Sequence, residues 1–269
     1  MISVIIPMYN AENVILNALN SVKNQTSPLE KFEVIVVDDG STDKSREVVD
    51  SYLQNNPALK IQLVTQENGG VSTARNTGLK ISKGDFIALL DSDDEWYPKK
   101  IENQIKVLEN KDFQIDFLSC RRKNHNILYP YKVDENNLVQ VSFRQLMIRN
   151  EIQPSTVIFK RKILDNTGYF DKDQRYAEDL NYWLKVSERN KIAILNEELV
   201  VAGSGKRTFG VSGLSANLEQ MEKGFQKNLK ETLKQKKINF IQYAVYFLFY
   251  KIKYIVRIGR NIMLNLQGK

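Results

Sequence analysis

The sequence predicts an α/β fold: a mostly parallel sheet flanked by helices, followed by a helical, basic tail. Three observations predict it. Short apolar runs alternate with helix-period segments through the first half, the order that yields parallel strands covered by helices. Polar, mostly acidic clusters punctuate the carboxyl ends of the runs, where open sheets of this kind gather their ligands. Finally, the residues from Glu219 onward hold eleven Lys/Arg against three Asp/Glu, a net +8, so the first 218 residues stand near neutrality at −1.

Ile2–Ile6 is a strand-like run ended by Pro7, and Ala11–Gln25 repeats Val14, Ala18 and Val22 at helical spacing, with Asn10 its expected N-cap. Phe32–Val37 is a β-branched run, followed by Asp38-Asp39-Gly40 and a polar-capped helix through Tyr52. Ile61–Thr65 is the third strand, and Val71–Ile81 the third helix after Gly69-Gly70. Phe86–Leu90 is the fourth strand, and Pro98 opens the next helix, where proline is favoured. The second half is less regular. Val141–Arg149 reads as a helix, Thr156–Phe159 as a short strand, and Tyr176–Glu188 as an amphipathic helix with Leu180, Trp183 and Leu184 on one side. Gly203 to Ser215, rich in glycine, reads as a mobile loop, and the composition shift near Ser215 marks a boundary between residues 1–215 and an extension, 216–269.

With 42% hydrophobic and 26% charged residues, the chain has enough apolar material for a full core. The single cysteine, Cys120, excludes an intramolecular disulfide and a multi-cysteine metal site, so a reducing, cytoplasmic setting is expected. No basic segment and apolar stretch precede the first strand, so no signal peptide is expected. His125, the one histidine, excludes histidine triads and reads as a solvated loop residue. The basic excess lies in the tail, which argues against nucleic acid as a partner.

Three acidic clusters are candidate sites. At Asp38-Asp39-Gly40-Ser41-Thr42-Asp43, turn and capping chemistry is one reading; the other is a pair of carboxylates bonding a base N–H or a ribose hydroxyl, with Tyr9 stacking on the base. Asp91-Ser92-Asp93-Asp94 packs three carboxylates into four residues, which repel unless a cation sits among them. Hard oxygen ligands suit Mg²⁺ or Mn²⁺; a solvated helix-capping turn is the other reading. A calcium loop fails, because Trp96 stands where glycine is required. Glu178-Asp179 opens a helix, where the dipole alone favours acids. Arg75-Asn76 in the third helix reaches either a phosphate or acidic neighbours. The absence of G-x-G-x-x-G and of a P-loop excludes dehydrogenase and kinase readings.

Together, Ser3-Val-Ile-Ile-Pro7-Met-Tyr9-Asn10, Val36-Val37-Asp38-Asp39-Gly40-Ser41-Thr42-Asp43, Asn68-Gly69-Gly70 with Ala74-Arg75-Asn76, Leu90-Asp91-Ser92-Asp93-Asp94 and Glu178-Asp179 occur in an order that resembles family 2 glycosyltransferases of the GT-A fold. The resemblance covers about Met1 to Ser215 and points to the bacterial polysaccharide or O-antigen type. It implies a Rossmann-like nucleotide-binding half (1–110), an acceptor half (111–215) and inversion at the anomeric carbon. It further implies that Pro7, Tyr9, Asp39, Arg75 and Asp91 hold the nucleotide, usually uridine diphosphate. Asp91 and Asp93 match the Asp-x-Asp signature, with Asp93 nearest a Mn²⁺ or Mg²⁺ ion, and Asp179 matches the catalytic base. The donor would be a nucleotide sugar and the acceptor a glycan or lipid-linked saccharide. The Gln-x-x-Arg-Trp signature of processive synthases is missing, which argues for one sugar, of hexosyl or N-acetylhexosaminyl type, per encounter.

Two other readings compete. A nucleotidyltransferase needs a glycine-rich basic loop after the first strand, and Met8-Tyr9-Asn10-Ala11-Glu12 has neither feature. A binding scaffold without activity is opposed by acidic residues at all three clusters. In the tail, residues 238–266 combine an uncharged aromatic run with Lys251, Lys253, Arg257 and Arg260, which predicts an interfacial helix on the inner face of the cytoplasmic membrane. The alternative is a helix docked on the catalytic domain or on a second subunit.

Overall fold

The computed structural model of the chain describes residues 1–203 and 214–266, so most of the predicted glycine-rich loop lies outside the described residues. Its first half runs β1 (Ile2–Met8), α1 (Ile15–Lys23), β2 (Phe32–Asp38), α2 (Ser45–Asn55), β3 (Ile61–Thr65), α3 (Val71–Ile81) and β4 (Phe86–Leu89). Then come β5 (Glu95–Trp96), α4 (Lys100–Glu109), β6 (Phe117–Arg122), β7 (Leu138–Val141), α5 (Phe143–Ile148) and β8 (Ile158–Lys160). The chain continues through α6 (Lys162–Thr167), α7 (Glu178–Val186), β9 (Ile192–Val201), α8 (Leu218–Lys234) and α9 (Phe240–Leu266).

The strands form one sheet in the order β3-β2-β1-β4-β8-β6-β9-β5, with β7 also on β9. β1 to β4 are mutually parallel, with Ile5 opposite both Ile35 and Leu89. Val4, Ile6, Val34 and Val36 pack to one side with Ile15, Leu19 and Val49 of the helices. Ile5, Ile35, Val37 and Leu89 pack to the other with Leu79 and Trp183. Both faces are covered, and that is why these strands read as continuous apolar runs without alternation. After β3 the chain returns to the far side of β1, so the strand order reverses there. Open sheets of this kind hold their ligands in a crevice outside the carboxyl ends of the strands flanking such a reversal, here β1 and β4.

The second half adds pairings that periodicity did not reveal. β8 is antiparallel to β4 and β6, β6 is parallel to β9, and β5 and β7 are antiparallel to β9. β6 ends on Arg121-Arg122 and β9 is interrupted midway by Asn196-Glu197-Glu198, polar stretches that mask them as strands.

Some predicted caps are corrected. Asn10 lies at φ 49, and its side chain accepts from the Thr42 amide (2.9 Å) instead of capping, so α1 begins at Ile15 rather than Ala11. Ser41 accepts from the Asn10 amide (3.0 Å), tying β1's exit to β2's exit, and α2 starts at Ser45. α7 starts at Glu178 because Ala177 before it is left-handed, at φ 53 and ψ 32.

The tail is helical and half docked. Asn228 on α8 donates to the Ala177 carbonyl (3.0 Å) and accepts from Gln174 (2.7 Å) and Asn181 (3.0 Å). Gly224 lets α8 approach so closely that a Cβ there would stand 2.3 Å from the Tyr176 carbonyl oxygen. On α9, Tyr250 donates to the Met147 carbonyl (2.7 Å) and Lys253 to that of Ile148 (2.9 Å). One face of α9 therefore rests on α5 and α8, as the docked alternative required. Among the described residues no helix is long and apolar enough to cross a membrane.

Candidate active site

The polar residues at the strand ends meet the start of α7 at the crevice. Tyr9, 51% exposed, leaves β1 at the strand end, while Pro7 is buried within the strand. Asp39 is inward. One of its carboxylate oxygens accepts from Gln66 (2.7 Å) and the Gly69 amide (2.8 Å), and the other from the Gly70 amide (2.8 Å). In this state Asp39 organises the 66–70 loop, whose Gly70 adopts φ 83 to open α3. Asp38 accepts from the Ser41 amide (3.0 Å), the turn bond expected of Asp before a tight loop.

Arg75, on α3, joins two of the acidic clusters. Its guanidinium donates to Asp91 (2.8 Å) and to Glu178 (2.9 Å) and lies 5.4 Å from the Phe170 ring centroid. The side chain is only 3% exposed. Burial opposes its charge, but the two carboxylates more than offset that and push its pKa above the usual arginine value. Of the two readings for Arg75, bridging acidic neighbours is the one present here.

The Asp91–Asp94 turn is pinned from below. The Asp91 amide donates to Ser155 Oγ (2.9 Å), and Trp96 donates its indole N–H to the Ser155 carbonyl (2.7 Å). Asp94 is buried and accepts from the Gly203 amide (2.6 Å). Burial, with Asp91 and Asp93 nearby, pushes its pKa up to about 7. Asp93 is the member of the cluster that faces solvent. Among the described residues no group of three metal-ligating side chains converges. Asp91 and Asp93 offer hard carboxylate oxygens of the type that Mg²⁺ and Mn²⁺ take, one or two at a time, beside phosphate and water oxygens.

Asp179 lies one residue beyond Glu178, partly exposed, and accepts from Asn150 Nδ2 (3.1 Å). Burial first, then the charge of Glu178, raises its pKa to about 7; Arg75 and Asn150 pull the other way. A carboxyl poised there exchanges a proton near neutrality. Asn150 carried no sequence signal. Nor did Glu151, whose burial opposes ionisation but whose bonds to His125 (2.6 Å) and Arg149 hold its pKa below the usual range. His125 is thus an anchor of the 149–153 segment, correcting its reading as a solvated loop residue.

Comparison with known proteins places these features in context. A family model described as Glycosyl transferase family 2 matches residues 3–168. An uncharacterized glycosyltransferase of Rickettsia bellii is 33% identical over 74% of the chain, which spans 28% of that relative. One of Rickettsia typhi is 32% identical over 74% of the chain and 63% of the relative. The chain thus spans less than two thirds of the length of these relatives. The solved structure of Staphylococcus aureus TarS 1–349 in complex with UDP-GlcNAc is similar at TM-score 0.70 and 25% identity, covering 91% of this chain and 70% of that one. A mannosyltransferase of Pyrobaculum calidifontis, in complex with GDP-Man and Mn²⁺, shares the fold at TM-score 0.68 and 23% identity, over 87% of this chain and 64% of that one.

Proposed function

This chain belongs to glycosyl transferase family 2, and from that premise we propose that it moves one sugar from a uridine diphosphate donor to an acceptor hydroxyl, with inversion. The observation that carries the reading is the Arg75 bridge: it brings the Asp91–Asp94 cluster and the Glu178-Asp179 pair to one crevice. Support for the donor class comes from the similar fold of TarS with UDP-GlcNAc. The acceptor is a glycan or lipid-linked saccharide, received on the side of residues 111–215.

In this reading Tyr9 stacks on the base, and Pro7 and Asp39 shape the pocket edge beneath it. Arg75 keeps Asp91 turned toward the nucleotide and compensates Glu178. Asp93, with Asp91 beside it, would hold Mn²⁺ or Mg²⁺, which when bound supplies positive charge against the diphosphate leaving group. Asp179 takes the proton of the acceptor hydroxyl while that oxygen attacks the anomeric carbon from the face opposite the diphosphate. Asn150 fixes the carboxylate's orientation from the acceptor side.

The test is a screen of sugar nucleotides for metal-stimulated release of nucleotide diphosphate, with and without acceptor. Asp93→Ala should lose the Mn²⁺ stimulation while keeping the thermal midpoint, because an exposed side chain is removed and carboxylate repulsion relieved. Undiminished, EDTA-insensitive turnover in that variant would refute the metal assignment.

A second expectation concerns pH. A general base works deprotonated, and with its pKa raised to about 7 Asp179 loses that form as pH falls through neutrality. The kcat profile should therefore rise through pH 7 and level above it. Asp94 titrates in the same range, so a variant must assign the limb. Asn150→Ala removes a bond that favours the charged form and should move the limb up by about half a unit to one unit. A limb that stays put in that variant does not belong to Asp179.

A further inference from the structure

The last acidic residue of the chain is Glu231; the residues beyond it include eight Lys/Arg and no Asp or Glu. Most of this stretch is α9, 27 residues long, whose one side is held to the body by Tyr250 and Lys253. Among the described residues nothing covers the other side. Ile241, Val245, Leu248, Ile252, Ile255 and Ile262 recur at helical spacing along it, all exposed, Ile241 by 74% and Ile255 by 68%. At 1.5 Å per residue the stripe is about 30 Å long. Contiguous apolar surface on this scale marks an interaction face.

Charge decides what the face fits. With 3.6 residues per turn, Lys251 and Arg260 fall on opposite edges of the stripe, each roughly a quarter turn from its centre. Lys251 also lines a cleft of ≈ 420 Å³ between α8 and α9, together with Lys223, Lys227, Lys230 and Lys234. Two glutamates, Glu222 and Glu231, are the acids in that lining. An apolar strip with cations on both edges and a lysine-lined cleft on one flank complements an anionic phospholipid surface: acyl chains for the strip, phosphates for the edges. A second copy of this chain fits worse. Symmetric pairing along the stripe would set the edge cations of both copies against each other, with no acidic residue on α9 to answer them.

We propose that the exposed face of α9 docks on an anionic bilayer, lying in its interface. The helix then holds the catalytic body at the membrane, its opposite side already occupied by α5 and α8.

The experiment uses the full chain and vesicles of phosphatidylcholine with and without phosphatidylglycerol, read by flotation. The protein should float with the phosphatidylglycerol vesicles at low salt and leave them as salt rises. Leu248→Asp with Ile252→Asp changes two exposed positions, and the fraction bound should fall tenfold or more, with UDP binding retained as evidence of folding. Arg260→Glu should lower binding to the charged vesicles by severalfold. Absence of wild-type binding to phosphatidylglycerol vesicles overturns the proposal, as does equal flotation of the doubly substituted chain. So does a wild-type dimer in solution that the Leu248/Ile252 change converts to monomer, since the occupant would then be a second copy.

Discussion

Replacing Asp179 by asparagine is expected to lower kcat by about 10²–10⁴, the usual worth of general-base assistance, while leaving the affinity for uridine diphosphate unchanged. The two effects separate because of where the side chain lies. It sits at the start of α7, across the Arg75 bridge from the Asp91–Asp94 turn, and its carboxylate accepts from the Asn150 side chain. An amide of the same shape still accepts from Asn150 through its carbonyl oxygen but takes no proton from an acceptor hydroxyl. Removing a charge beside Glu178 relieves repulsion, so the thermal midpoint should hold or rise. Titration of the diphosphate beside steady-state turnover reads both quantities. A variant that turns over normally but has lost diphosphate affinity would make Asp179 a binding residue.

Arg75→Met should be among the most destabilising single substitutions in the chain. Breaking one side of a buried ion pair costs about 3–5 kcal/mol because the remaining charges are left without compensation. Here two carboxylates are abandoned together. Asp91 is 28% exposed and so partly rescued by water, which places the expected loss near the lower end, about 3 kcal/mol. Arg75→Lys keeps the charge but not the fork, so it should reach one partner and recover part of the loss. Denaturant unfolding of the three proteins measures this. Stability unchanged in Arg75→Met would mean that the bridge does not hold the two clusters together.

β1, β2 and β4 were legible because both of their faces are buried. Ile61–Thr65 and Val71–Ile81 appear in the structure with the bounds their periodicity gave. The acidic clusters were legible as clusters, since strand ends in a parallel sheet share one edge. Their partners were not. That Arg75 would bridge Asp91 and Glu178 depends on residues 16 and 103 positions away. Asn150 and the His125–Glu151 pair come from irregular segments whose backbone path no local pattern specifies. β6 and β9 were missed for another reason: the end of β6 bears arginines and the middle of β9 glutamates, and periodicity counts such residues as solvent.

The left-handed turn at Ala177 gives the extension a bearing on chemistry. A residue with a Cβ at that φ and ψ persists only where its surroundings over-determine it, and here they are Gln174 and Asn228, bonded to its carbonyl, with α8 pressed against Tyr176 through Gly224. The turn sets the bearing of the two carboxylates that follow it. Misplacing a catalytic group by an ångström can cost about a hundredfold in rate. The sheet-bearing part of the chain and the C-terminal helices are in that respect one instrument. A foreign α8 without a glycine facing Tyr176 would arrive with its sights misaligned.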